Sequence, residues 1–294
     1  MREFQKKELS SSEIEKSIVF YPFSGPDALV LSVFFPKNPV YVMVGLEPPG
    51  TLPTAQQLAK KDLGETLGAV RETVYSELHR SFFITRQMDK HFRGQVADGL
   101  FSPILQLMVR MNHTVLGHRY VQMDEQGRIV ERSLEKNSLP GSIYKGVEIE
   151  FTTGSSPVVQ KLFYFSINLS DQRLKENKPF AAFMARQKGL TSYFKATSYM
   201  THRKEFSIIR EQVLSASSAV LEDDSGIPYR YFTSPPWKIE LFGEFDHPYG
   251  SFRWFEQKDL KRAYATTNPK PLGFKIGYGF SKAPSNLLLA TRPH

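Results

Sequence analysis

This 294-residue chain contains no cysteine, which excludes disulfides, thiolate nucleophiles and cysteine-based zinc or iron–sulfur sites together. The absence says little about compartment, since a cysteine-free chain persists in oxidising and reducing surroundings alike. No window approaches about 18 consecutive apolar residues, so no transmembrane segment is expected. The N-terminal stretch MREFQKKELSSSEIEK is polar and carries no signal peptide as it stands. A processed exported (periplasmic) form and a cytoplasmic protein both remain open. A Gly-x-Ser-x-Gly elbow and a Gly-rich Lys-Ser/Thr phosphate loop are also missing, so neither α/β-hydrolase nor P-loop chemistry is supported. Tryptophan is scarce, with 2 residues against 23 Phe and 13 Tyr; aromatics in that number are expected to fill a core.

What is present is a basic chain with 40% hydrophobic residues and a formal net charge of +8. The length suits a single α/β domain over residues 1–294 with a large buried core. The charge permits anionic partners without requiring them. Basic residues are scattered beside acidic neighbours, as at Lys60-Lys61, Arg71, Arg203-Lys204 and Lys261-Arg262, so nucleic acid is not the expected partner. A small-molecule ligand or a protein partner fits the composition.

The most organised stretch runs from Ser17 to Pro49. Ile18 to Tyr21 reads as a strand, Ser24-Gly25-Pro26-Asp27 as a turn, Ala28 to Phe35 as a helix, and Val40 to Leu46 as a second strand ending at Glu47. Thr54 then caps an amphipathic helix to about Arg80, Ser81 to Thr85 reads as a third strand, and a helix starts near Asp98 and includes Pro103 to Met111. Thr114 to Arg132 has the pattern of a β-hairpin, and strands at Val147 to Thr153 and Val158 to Leu169 follow. Residues 114–160 thus read as a β-rich insertion. Alternation resumes with a helix at Pro179 to Gln187, a strand at Tyr193 to Met200 and a helix at Phe206 to Leu221. Strands at Tyr229 to Phe232 and Lys238 to Phe245 and an edge strand at Leu272 to Phe280 close the series. The expected fold is Rossmann-like: a mostly parallel sheet with helices on both faces and an antiparallel β insertion.

In such a sheet ligands sit outside the carboxyl ends of the strands. The residues placed there are Ser24, Gly25, Asp27, Glu47, Thr85, Arg86, Asn168, Ser170, Asp171, Thr201 and His202. Gly25 suits a strand-to-helix turn beside a ligand, because it has no Cβ. Asp27 at the following helix N-terminus would cap that helix and repel a phosphate, which argues against a dinucleotide pyrophosphate site. Glu47 lies about 20 residues beyond the glycine turn, where nucleoside-binding α/β units accept ribose hydroxyls. Capping and loop chemistry are the plainer account of both residues.

The order strand, YPFSGPD turn, helix, strand, GLEP resembles the opening of a class I S-adenosylmethionine-dependent methyltransferase-like fold, and the later order of elements is similar to it. The resemblance implies S-adenosylmethionine as cofactor and methyl transfer as activity, with Ser24 and Gly25 in the cofactor turn and Glu47 on the ribose. The turn departs from the family pattern: Tyr21-Pro22-Phe23 and a single glycine stand where the family has an acid and several glycines. The phrases YPFSGPD, GLEP and GIPYRYF also resemble bacterial proteins without assigned activity, some of which carry export signals. An alternative is therefore a non-catalytic binding or structural protein whose ancestral cofactor site has closed. No catalytic residue is assigned.

Other constellations are weaker. His113 and His118 lack a third nearby ligand, so no zinc site is expected. His247 sits beside Glu244 and Asp246, where it is either a tuned acid–base group or part of a turn. Glu222-Asp223-Asp224-Ser225-Gly226 concentrates three carboxylates, read as a solvated helix terminus because the spacing is not that of a calcium loop.

Overall fold

Two runs of almost unbroken apolar residues, IVFYP at Ile18–Pro22 (β1) and VYVMVG at Val40–Gly45 (β2), pair in parallel with Ile18 beside Val40. Buried on both faces, they need no polar alternation. Val19 and Tyr21 face one core cluster and Phe20 the other.

This computed structural model describes residues 1–52, 56, 64, 68, 71, 75, 81, 99–132, 145–234, 236–280 and 284–292. The remaining strands are β3 (His113–Met123), β4 (Ile129–Glu131), β5 (Gly146–Thr153), β6 (Gln160–Ser166), β7 (Leu190–Phe194), β8 (Ser217–Glu222), β9 (Lys238–Gly243) and β10 (Asn286–Thr291). All join one ten-stranded sheet in the order β4-β3-β5-β6-β2-β1-β7-β8-β10-β9. The neighbouring strands β6, β2, β1, β7 and β8 are parallel.

The expectation of a mostly parallel sheet is corrected. Among the described residues four strand pairings are parallel and five antiparallel. The sheet extends antiparallel through β5, β3 and β4 at one side, so the described residues of the 114–160 segment lie there. At the other side β10 runs antiparallel to both β8 and β9. The fold is α/β with a mixed sheet.

Helices α1 (Arg2–Glu8), α2 (Ser12–Lys16), α3 (Ala28–Phe34) and α4 (Phe101–Arg110) contribute Phe4, Ile14, Leu31, Phe34, Ile104 and Leu107 to the first core cluster. Helices α5 (Asp171–Glu176), α6 (Lys178–Arg186), α7 (Ser207–Ala216) and α8 (Lys258–Thr266) contribute Leu174, Phe180, Ile209, Val213 and Leu260 to the second. Each fully buried Phe adds about 1.5–3 kcal/mol of transfer free energy, so the aromatic-rich composition is spent inside. Among the described residues, no helix is long and apolar enough to cross a membrane.

Four expected elements differ, the first being the strand expected at Tyr193 to Met200, which runs over Leu190–Phe194 and stops before Lys195. The helix expected to Leu221 stops at Ala216, and β8 begins at the next residue; β8 is buried throughout, so its sequence shows no period of two. Tyr229–Tyr231 is a 3-10 turn, not a strand. Leu272 to Phe280 forms no strand but a 3-10 turn at Gly277–Gly279, and the final strand is β10. The helix expected from Thr54 to Arg80 falls almost wholly outside the described residues, and so does most of the strand at Ser81 to Thr85.

Candidate functional site

The strand order places the switch point of the parallel segment between β1 and β7, since the chain moves outward from β1 through β2 and then returns to its other side. A cleft of about 850 Å³, part of it open to solvent, lies at the carboxyl ends of β1, β2, β6 and β7. It brings together all four residues expected at a ligand site: Ser24, Gly25, Asp27 and Glu47. Asn168 joins them, whereas Ser170, Asp171, Thr201 and His202 do not line the cleft; Thr85 and Arg86 lie outside the described residues.

The turn after β1 is built by its own sequence. Phe23 and Gly25 both take left-handed backbone angles, φ 59° and 52°. The Ser24 amide donates to Val44 O at 2.9 Å, tying the turn to the end of β2, and its hydroxyl lies 3.0 Å from Gly25 O. Asp27 then caps α3, with its Oδ1 accepting from the Val30 amide at 3.1 Å. The same carboxylate takes the Tyr21 hydroxyl at 3.0 Å and the Lys195 ammonium at 2.6 Å. Asp27 and Lys195 are only 1% and 2% exposed, so this ion pair is a buried floor for the cleft. Glu47 lies at the opposite wall, where its carbonyl accepts from the Tyr164 hydroxyl at 2.7 Å. That hydroxyl leaves no room for a Cβ at residue 45, which it would meet at 2.6 Å, so glycine ends β2.

The third wall is the loop after β7. Ala196, Ser198 and Tyr199 all have positive φ, 51° to 55°, an arrangement that side chains with a Cβ hold only when their surroundings impose it. Asp223 accepts from the Ala196 amide at 2.8 Å and from the Ser225 amide at 3.0 Å. Ser225 Oγ accepts from the Thr197 amide at 2.8 Å. Tyr278 donates to Ala196 O at 3.0 Å and accepts from the Ser198 amide at 3.1 Å. Tyr199 donates to Asp224, whose Oδ1 accepts from Asn286 Nδ2 at 2.9 Å.

The carboxylates at 222–224 are therefore not a solvated terminus. Glu222 and Asp223 are buried; Asp223 and Asp224 brace the cleft loop, while Glu222 accepts from the Ile227 amide at 2.8 Å. Burial holds the carboxyls of Glu222 and Asp223 above the usual carboxylate range. Desolvation and the neighbouring Asp223 push Asp224 up to about 7. A carboxyl raised in the folded state binds its proton more tightly there, so its contribution to stability falls as pH climbs from the ordinary carboxylate range towards about 7. Urea unfolding at pH 5, 6, 7 and 8 should show Asp224→Asn gaining on the wild type up to about pH 7 and holding level beyond. A constant difference across that range would refute the assignment. Burial lowers His202 to about 3 and His113 to about 4. These two act with the opposite sign, removing stability as pH falls below the ordinary imidazole range, and are common to both proteins in the comparison.

The histidines have structural partners. His113 spans Ser32 Oγ at 2.6 Å and Thr153 Oγ1 at 2.9 Å, His118 packs edge-on to Phe101, and His247 Nδ1 lies 3.0 Å from the Pro248 carbonyl. Among the described residues no three acidic or histidine side chains are grouped to hold a metal ion.

Sequence reasoning missed Lys195, which it placed inside a strand. The signal was there: a lone lysine directly after the apolar run LTSYF marks a strand end. Leu46, 58% exposed, and Phe206 were also missed; with Phe23, Ile167, Leu169 and Met200 they belong to the apolar part of the lining. Comparison with family models, with curated proteins and with solved structures returned no match to this chain.

Proposed function

We propose that the cleft binds a small nucleoside-like or other polar ligand and that the protein is Rossmann-like, of methyltransferase ancestry. The observation that carries this reading is the open cleft at the switch point, with the glycine turn on one side and Glu47 on the other. The reversed β10 between β8 and β9 supports the resemblance to the methyltransferase-like fold. S-adenosylmethionine is the first ligand to test. Glu47 would accept hydroxyl hydrogen bonds, and the apolar residues Phe23, Leu46 and Phe206 would cover a planar ring. Methyl transfer is not assigned to any residue.

One observation favours the second reading, a non-catalytic protein with a closed cofactor site. Asp27 is fully engaged by Lys195, Tyr21 and the Val30 amide, so the turn spends its acid on the fold. Calorimetric titration with S-adenosylmethionine, S-adenosylhomocysteine and adenosine separates the two. The first reading expects saturable binding that weakens about tenfold or more in Glu47→Ala, about 1.4 kcal/mol, while the melting temperature without ligand stays near wild type. Absence of binding at millimolar ligand, together with a marked loss of stability in Glu47→Ala, would leave the structural reading standing.

A further inference from the structure

A second hollow opens beside the cleft, across the loop that follows β6. It is a groove of about 1060 Å³, open to solvent, bounded by the end of β3, the residue before β5, the end of β6 and the helices α5 and α6. Because β3 is antiparallel to β5 and β5 to β6, β3 runs in the direction of β6, and its last residues reach the same edge of the sheet as the cleft. Ile167 and Asn168 line both hollows. The wall between them is fixed to β2: the Ile167 amide donates to Gly45 O at 2.8 Å and the Ser166 hydroxyl to Leu46 O at 2.8 Å.

The groove joins two kinds of surface. Met123, Phe165, Ile167 and Pro179 give it an apolar part. A Cβ on Gly146 would meet the Phe165 ring at 2.6 Å, so glycine at the start of β5 lets that ring lie against the strand. The charged part is one-sided: Arg132, Lys145 and Arg173 stand against a single carboxylate, Glu176, which Arg173 holds at 3.2 Å. Lys145 is kept at the edge by its own carbonyl, which accepts from the Ser166 amide at 2.7 Å, and the Arg132 amide donates to Tyr120 O at 2.9 Å.

Exposed cations alone hold a small hydrated anion weakly, because water screens the pair. Apolar surface alone is non-directional and does not orient a ligand. A ligand that carries an apolar body and an anionic head uses both, the body being taken out of water while guanidinium and ammonium groups fix the head.

We infer that this groove is a second binding site, for an organic anion with an apolar body and one carboxylate or phosphate head group. It does not rest on the ligand proposed for the cleft. Since the two hollows share Ile167 and Asn168, their ligands would lie side by side.

The test is a calorimetric titration at constant ionic strength with 2-naphthoate and 2-naphthyl phosphate, with 2-naphthylmethanol and inorganic phosphate as the apolar and anionic controls. Saturable binding of a naphthyl anion is expected, at least tenfold tighter than either control. The tighter of the two anions assigns the head group, and either supports the site. Lys145 and Arg173 are exposed, so the double variant Lys145→Ala with Arg173→Ala should fold normally and bind about tenfold more weakly. Lys258→Ala with Arg262→Ala on α8, which removes the same charge outside the groove, should bind as the wild type does. Binding of the anions no tighter than of a control, or equal loss in the two double variants, would overturn the site. So would a loss in Glu47→Ala with none in the groove variant, which would put the anion in the cleft.

Discussion

Replacing Asp27 with alanine is expected to cost about 3–5 kcal/mol in urea unfolding, the loss typical of removing one partner from a buried ion pair. The carboxylate is 1% exposed and stands 2.6 Å from an ammonium that is 2% exposed, so the lysine would stay in the interior without that counter-charge. The same substitution removes the cap of α3 and the acceptor of the Tyr21 hydroxyl, and loss of a cap alone costs about 0.5–2 kcal/mol. Replacing both members, Asp27→Leu with Lys195→Met, should recover part of the loss, because the lysine is then no longer left beside a missing carboxylate, although Asp223 also loses the charge of Lys195. A cost under about 1 kcal/mol for Asp27→Ala would show that the pair does not support the fold.

The second large effect is expected at Asp223. Its carboxylate holds the Ala196 amide and both polar groups of Ser225, and Ser225 in turn holds Thr197. Asp223→Ala would strip these bonds from a loop in which Ala196, Ser198 and Tyr199 are at positive φ, each storing about 1–3 kcal/mol of backbone strain. The expected result is a loss of about 2–4 kcal/mol and faster hydrogen exchange confined to residues 195–201. Asp223→Asn retains an acceptor for one amide and should lose less. If exchange in that segment were unchanged, the strained loop would have to be held from elsewhere, Tyr278 being the next candidate.

How far the fold could be read from the sequence follows from which residues carry local signals. β1 and β2 are bounded by turn chemistry at Ser24-Gly25-Pro26-Asp27 and at Pro48-Pro49-Gly50, and they appear close to where the spacing puts them. The hairpin of β3 and β4 announces itself through its glycine turn, Gly127 at φ 71°. β8 does not, because Ile209, Val213 and Val220 continue a helical spacing across the junction at Ala216 and Ser217, and only tertiary burial ends the helix. The closing strand is expected at LGFKIGYGF, whereas the more apolar run Leu287 to Ala290 forms it, within β10. Glycines in that rejected segment serve close approach instead: a Cβ on Gly277 would meet the Asp223 carboxylate at 2.4 Å. For the candidate site, the four residues read from strand ends do meet in one cleft. The residues that shape its third wall come from 195–199, 223–225 and 278, far apart in the chain, and no local pattern links them.

The position of β10 also sets an order of events. Among the described strands it comes last in sequence, but it lies inside the sheet between β8 and β9, and the Tyr264 hydroxyl reaches carbonyls on both β9 and β10. β9 is bridged by Lys270, which bonds Leu241 and Gly243, but its strand partner arrives only with residues 286–291, and the β8–β10 contacts span more than sixty residues of chain. Such non-local closure is slow, because the entropy of a long loop is lost before its contacts form. β1, β2, β6, β7 and β8 can form a parallel nucleus while β9 has only its bridge to Lys270, so closure of the sheet around β10, and with it the anchoring of Asp224 by Asn286, follows the formation of that nucleus.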